Sequence, residues 1–204
     1  MKLVNAMPAI ADALDDAAEE LAELDSVAGD GDLGVTARRI ATQIRASFMQ
    51  ADNSTGAQIL RVCALGISEA APSSFGTLLS FGLLAAAKVL SDNPGASPED
   101  VTLWREALKA SCKSVSDRGG AVAGQRTVLD AAIPAADALH SALPFRDAVA
   151  ASALAAQAGA DQTAQMKPSV GRAGWSGDRG IGHVDGGARL FAVAWAALAR
   201  AVDA

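Results

Sequence analysis

Pro8-Ala9-Ile10-Ala11-Asp12-Ala13-Leu14-Asp15-Asp16-Ala17-Ala18-Glu19-Glu20-Leu21-Ala22-Glu23-Leu24 sets Ile10, Leu14, Ala17, Leu21 and Leu24 at steps of four and three. That spacing draws one apolar stripe along a helix and does not fit the two-residue period of a strand. Pro8 suits a first helical turn, where its missing N–H costs nothing. The same period recurs down the chain. Ile40, Ile44 and Phe48 share a face over 35–49, and Leu60, Ala64 and Ile67 share one over 57–70. A fourth helix follows Ser73-Ser74 and holds Leu78, Leu79, Leu83 and Ala86.

Ser97-Pro98 with Asp100 three after the serine predicts the start of a fifth helix, running to about 115. A sixth begins near Thr127 and contains Pro134, which should kink or end it. An Ala-rich seventh spans about 145–165, and the last, 186–202, carries Leu190, Val193, Ala194, Ala197 and Leu198. No stretch sustains two-residue alternation. The expectation is one all-α domain over 1–204, a bundle or barrel of eight amphipathic helices.

Composition agrees. Half of the 204 residues are apolar but only 4% are aromatic, Tyr is absent, and Ala and Leu favour helix. A net charge of −6 and a pI near 4.8 argue against a nucleic-acid face. No uninterrupted apolar run reaches the roughly 18 residues of a membrane span. The nearest, 81–90, contains Lys88, so no membrane crossing is expected. The N-terminus shows no apolar signal core. Cys63 and Cys112 sit in helical apolar patterns without ligand spacing and read as core filler in a reducing compartment, with the cytoplasm as the expected location.

Three breaks are richer in Gly and charge than a connection needs: 25–34, 117–126 and 167–189. In the first, Asp25, Asp30 and Asp32 place three carboxylates within eight residues, with Gly29, Gly31 and Gly34 between and beyond them. Carboxylates that converge repel unless a cation joins them, and an all-oxygen set suits Mg²⁺ or Ca²⁺ over zinc. A solvated Asp-Gly turn is the bland alternative. The EF-hand pattern fails, since Gly34, Val35 and Ala41 occupy positions five, six and twelve counted from Asp30. No Walker-type Gly-x-x-x-x-Gly-Lys-Ser/Thr occurs.

Within the third break, the stretch from Gly171 to Arg189 holds seven Gly, three Arg and His183. Glycine frees backbone N–H groups for an anion, and arginine forks onto phosphate oxygens. Asp185 is placed to cap the final helix, whose N-terminus offers further donors. His183 reads as a loop-orienting partner, and Trp175 as a packing anchor or lid.

Taken together these motifs resemble the L subunit of dihydroxyacetone kinase. Leu24-Asp25 with Gly29-Asp30-Gly31-Asp32-x-Gly34 resembles its metal motif, and Gly124-x-Arg126-Thr127-x-x-Asp130 its middle motif. Gly171-Arg172-Ala173 and Gly177-Asp178-Arg179-x-Ile181-Gly182-His183-x-Asp185-x-Gly187-Ala188 resemble its C-terminal motif. The resemblance implies a barrel of eight antiparallel helices with ADP or ATP and two Mg²⁺ ions at one mouth. It places the metal ligands on Asp25, Asp30 and Asp32. Nucleotide contacts fall on Leu33, Gly34, Val35, Thr36, Ala70, Ala71, Gly119, Val128, Arg172, Asp185, Gly186 and Gly187. Asp25, Asp30, Asp32 and Arg172 would carry the phosphoryl chemistry.

It further implies a DhaK-like K-type subunit that binds the triose, and either ATP or a phosphotransferase-system phosphocarrier as phosphate source. A homodimer is left open. The sequence departs from the family at Leu33, where His is usual, at Ser68-Glu69-Ala70-Ala71-Pro72, which lacks the loop hydroxyl at Ala71, and at Gln125 in place of Asp. Ser73 or Ser74 is the candidate replacement hydroxyl. These departures leave open a tetrose kinase subunit or a non-catalytic nucleotide-binding regulator.

Overall fold

The computed structural model describes residues 3–51, 54–171 and 178–203, and every regular element among them is helical. After a 3-10 turn at Leu3–Ala6, the expected first helix is two, α1 (Met7–Asp16) and α2 (Ala18–Ala28). At Ala17 ψ closes to −3° and the amide faces both the Ala13 and Asp15 carbonyls, so one tightened residue separates them. The described residues thus form nine α-helices where eight were expected. The others are α3 (Leu33–Met49), α4 (Gly56–Ala70), α5 (Ser74–Asp92), α6 (Val101–Gly119), α7 (Leu129–Ala138), α8 (Phe145–Gln162) and α9 (Gly186–Asp203).

Local chemistry explains most boundaries. Thr55 and Gln58 form a reciprocal capping box at α4, and Ser73 accepts the Gly76 N–H at 3.0 Å to start α5. The cap of α6 is Asp100, which accepts from the Leu103 N–H at 3.1 Å. Ser97, expected there, instead accepts the Glu99 N–H in the preceding turn. The helix also runs past 115 to Gly119 before a left-handed Gly120 stops it. Pro134 lies inside α7 without ending it. Lacking an N–H, it leaves the Asp130 carbonyl without its usual partner. Gly159 of α8 packs against that carbonyl: a methyl on residue 159 would stand 2.2 Å from it.

Consecutive helices pack on one another, from α3 on α4 through to α8 on α9, and α9 returns to α1, which packs on α3. The order of neighbours closes on itself. Two apolar clusters fill the interior. One joins α6 to α9 around Leu129, Leu139 and Val149, with Trp104, Phe145, Phe191 and Trp195 packed against it. The other joins α1, α2, α3 and α4 around Leu14, Leu21, Ile40 and Ile67. Helix α9 serves both, giving Ala188 and Ala192 to the first and Leu190 to the second. Helix α5 is long and apolar enough to cross a membrane by length and composition, although the reading of 81–90 excluded such a span. Its Gly and Ser positions dilute the apolar run without lowering the average enough. In the fold it lies along α4 and α6.

Candidate metal and nucleotide site

Asp25 lies in the last turn of α2, Asp30 in the connecting loop, and Asp32 at the N-cap of α3. Gly31, with φ +77°, takes the left-handed backbone that reverses the chain between the two latter aspartates. The result brings one carboxylate oxygen from each of the three to within 4.8 Å of the others. Ligand oxygens on an octahedral Mg²⁺ lie about 3–4 Å apart, so the trio is near the spacing of a cation site. Asp25 Oδ2 is buried and has no hydrogen-bond partner among the described residues. A buried carboxylate oxygen without a donor is costly, and a cation satisfies it. The donor set is all oxygen, which fits Mg²⁺.

Helix α3 begins beside these acids with no side-chain cap on its first amides. Its N-terminus offers backbone N–H donors and the positive end of its dipole. Gly34 lets α3 approach α2, since a methyl there would meet the Ala18 carbonyl at 2.3 Å. Val35 is exposed, whereas Thr36 is buried at 4% exposure. Leu33 is also buried and belongs to the α1–α4 cluster, so the position where a donor was missed in the sequence is a packing position.

The start of α9 meets the same turn. A methyl on Gly186 would stand 2.7 Å from Leu33 Cδ2 and 3.7 Å from the Asp25 amide nitrogen, and one on Gly187 would stand 3.2 Å from the Phe75 ring. Phe75 opens α5 next to Ala71, whose carbonyl closely approaches Gly76. Gly119 packs on Leu78 of α5, and Val128 precedes α7. These contacts set Gly186 against the α2–α3 turn and Ala71, Gly119 and Gly187 against residues of α5, while Val128 is placed by its position before α7. Of the two candidate hydroxyls, Ser73 spends its own as a cap, and Ser74 is exposed.

Asp185 caps α9 as expected, accepting the Ala188 N–H at 2.8 Å. Burial pushes its carboxyl up to about 6 against the pull of that N–H and of Arg126. Arg189, one of the arginines read as a phosphate fork, is committed elsewhere. It binds Glu20 of α2 at 2.8 Å and Gln157 of α8 at 2.7 Å. The His183 carbonyl accepts from Arg126 at 3.1 Å, a backbone contact that does not use the imidazole. Arg172 and Trp175 lie outside the described residues.

Sequence reasoning missed the role of Arg126, which is 3% exposed and has φ +62°. A left-handed non-glycine residue costs roughly 1–2 kcal/mol. Asp130 holds that conformation in place, taking the Gly124 and Thr127 N–H groups on its two oxygens. The signal was present in Gly124-x-Arg126-Thr127-x-x-Asp130, but its partner segment lies 57 residues onward.

A family profile described as DAK2 domain matches residues 27–200. L-erythrulose 1-kinase of Mycolicibacterium smegmatis is 33% identical over 186 residues, covering 88% of this chain and 32% of that protein. The ADP-binding subunit DhaL of a PEP-dependent dihydroxyacetone kinase of Listeria innocua is 26% identical over 178 residues, covering 87% of this chain and 84% of that subunit. The crystal structure of the dihydroxyacetone kinase from C. freundii in complex with AMP-PNP and Mg²⁺ superposes with a TM-score of 0.77 at 27% identity, over 97% of this chain and 33% of that one. The chain therefore spans about a third of the erythrulose and dihydroxyacetone kinases that it matches, and most of the DhaL subunit.

Proposed function

The chain belongs to the DAK2 domain family, and on that premise we propose that it is the nucleotide- and Mg²⁺-binding subunit of a short-ketose kinase. The observation that carries the reading is the Asp25, Asp30 and Asp32 cluster with its orphaned buried oxygen, set against the uncapped start of α3. In this reading the ring of helices is a barrel, α1 and α2 forming one kinked member, with the site at one mouth.

Asp25, Asp30 and Asp32 would hold two Mg²⁺ ions. Bound there, the metal neutralises polyphosphate charge, the main requirement of phosphoryl transfer. The amides of Leu33, Gly34 and Val35 and the α3 dipole face an anion. Ala70, Ala71, Gly119, Val128, Thr36 and 185–187 would line the nucleotide, and Arg172 would pair with its phosphates. A separate K-type subunit presents the acceptor, as the multi-subunit naming of the Listeria innocua relative supports. Similarity to an erythrulose kinase favours admitting a tetrose as well as dihydroxyacetone. A phosphocarrier could supply phosphate to resident ADP, and the setting is cytoplasmic.

Calorimetry of ADP with and without Mg²⁺, on wild type and Asp30→Ala, tests the proposal. Expected is Mg²⁺-dependent binding that Asp30→Ala abolishes while the helical circular dichroism persists. Binding indifferent to Mg²⁺ would overturn it. A second reading, a regulator that binds nucleotide without transferring phosphate, is favoured by the packing of Leu33 into the core. It is supported if Mg-ATP binds but no phosphate reaches dihydroxyacetone or erythrulose with a K-type subunit supplied.

A further inference from the structure

The segment that enters α9 is fastened from outside itself. Arg126 Nη2 donates to the His183 carbonyl at 3.1 Å and reaches the Val184 carbonyl at 3.5 Å. Its Nη1 stands 3.9 Å from Asp185 Oδ2. Thr163, fully buried after α8, accepts the Asp185 N–H on Oγ1 at 2.8 Å and donates the same hydroxyl to the Ala160 carbonyl. The Gly182 N–H donates to the Ala164 carbonyl at 2.7 Å. Gly180 makes room for the guanidinium, because a methyl there would meet Arg126 Nη1 at 2.9 Å. Arg126, Thr163 and Ala164 lie outside the segment and are not among the residues assigned to metal or nucleotide.

We infer that Arg126, seconded by Thr163, is a positioning residue. It fixes the 180–185 backbone so that Gly186 sits against the acidic turn, and Gly187 against Phe75, in the geometry that accepts a metal–nucleoside diphosphate. The physical ground is that the segment's own short turns, Ile181 N–H to the Asp178 carbonyl and His183 N–H to the Gly180 carbonyl, do not fix its position on the rest of the fold. A planar, always-charged guanidinium that donates to two successive carbonyls and stands 3.9 Å from the next carboxylate does. The backbone that carries the fork is itself held: Asp130 pins the Gly124 and Thr127 amides on either side of Arg126. The middle motif therefore acts on the C-terminal motif through this guanidinium. The inference rests on the nucleotide reading above.

The test uses the full chain, reading hydrogen exchange of the 180–188 amides and calorimetric titration with Mg-ADP. The variants are Arg126→Ala, Arg126→Lys and Thr163→Val. Arg126→Ala should speed exchange in 180–188 at least tenfold and weaken Mg-ADP at least tenfold, with exchange in α3 and α5 unchanged. Arg126→Lys, which keeps the charge but not the fork, should fall between. Thr163→Val should move both readouts the same way by a smaller factor. If Arg126→Ala does not fold, Arg126→Lys and Thr163→Val decide alone, and wild-type exchange and affinity in both would overturn the inference. So would Arg126→Ala binding Mg-ADP like wild type, or loosening the whole chain evenly. A wild-type chain that binds no Mg-ADP instead refutes the nucleotide reading and takes the inference with it.

Discussion

The Asp25 carboxylate occupies the place where a side chain on Gly29 would begin, since a methyl there would stand 2.2 Å from Asp25 Oδ1. The glycine is required for space rather than for backbone freedom, because its φ of −123° is open to any residue. Gly29→Ala should swing the carboxylate away and weaken Mg²⁺-dependent ADP binding about tenfold, near 1.4 kcal/mol. Its thermal midpoint should move little, because no core group is disturbed. Calorimetry and a thermal melt check the pair, and unaltered Mg²⁺ dependence would contradict the packing.

Gly34→Ala should behave differently. Its methyl would meet the Ala18 carbonyl at 2.3 Å and Ala22 Cβ at 2.8 Å, so α3 must move off α2. Such overpacking costs about 1–3 kcal/mol. Urea unfolding should show that loss. Metal-dependent binding should fall as well, since α2 carries Asp25 and Asp32 is the N-cap residue of α3. A variant as stable as wild type would refute the close approach.

Ser152 is fully buried between two partners. It donates to the Ala135 carbonyl at 2.7 Å and accepts the Trp195 indole N–H at 2.8 Å. Ser152→Ala strands both groups, at a cost of about 2 kcal/mol. A domain of this size should then melt roughly 4–8 °C lower. Nucleotide affinity should hold, as neither partner lies at the candidate site. An unchanged melting temperature would refute the network.

Asp185 gives a pH signature. Unfolded, its carboxyl releases its proton near 3.8; folded and buried, it keeps it to about 6. Between those values the folded chain holds the extra proton, so this group lowers stability as pH rises from about 4 to 6. Arg126 and Asp130 are the charged groups facing it, the first easing and the second opposing its ionisation. Asp185→Asn keeps an oxygen to cap Ala188 but cannot titrate. The unfolding free energy of wild type relative to Asp185→Asn should decline across pH 4–6 and level off above. A flat difference would show that burial does not raise this carboxyl.

Helices were legible in the sequence because their stripes are local: Ile10, Leu14 and Leu21 announce a helix whatever lies elsewhere. The acidic trio was legible for the same reason, its three carboxylates being separated by a few small residues. What escaped depends on distance along the chain. Nothing near Arg126 says that its partners are the carbonyls at 183 and 184, and nothing near Thr163 says that its hydroxyl takes the Asp185 amide. The α6 cap was misplaced because Ser97 and Asp100 both suit the role and only the backbone path chooses between them. Leu33 could be noticed as a missing donor, but its burial beneath Gly186 is a tertiary fact.

Helix α9 lies against α1 across most of the length of the chain and supplies side chains to both apolar clusters. On a translating ribosome it is made after all its partners. Until it emerges, the stripes meant for Ala188, Leu190 and Ala192 face solvent, and productive collapse must wait for a late, sequence-distant docking event. The nascent chain should therefore be a client of holding chaperones until α9 clears the exit tunnel.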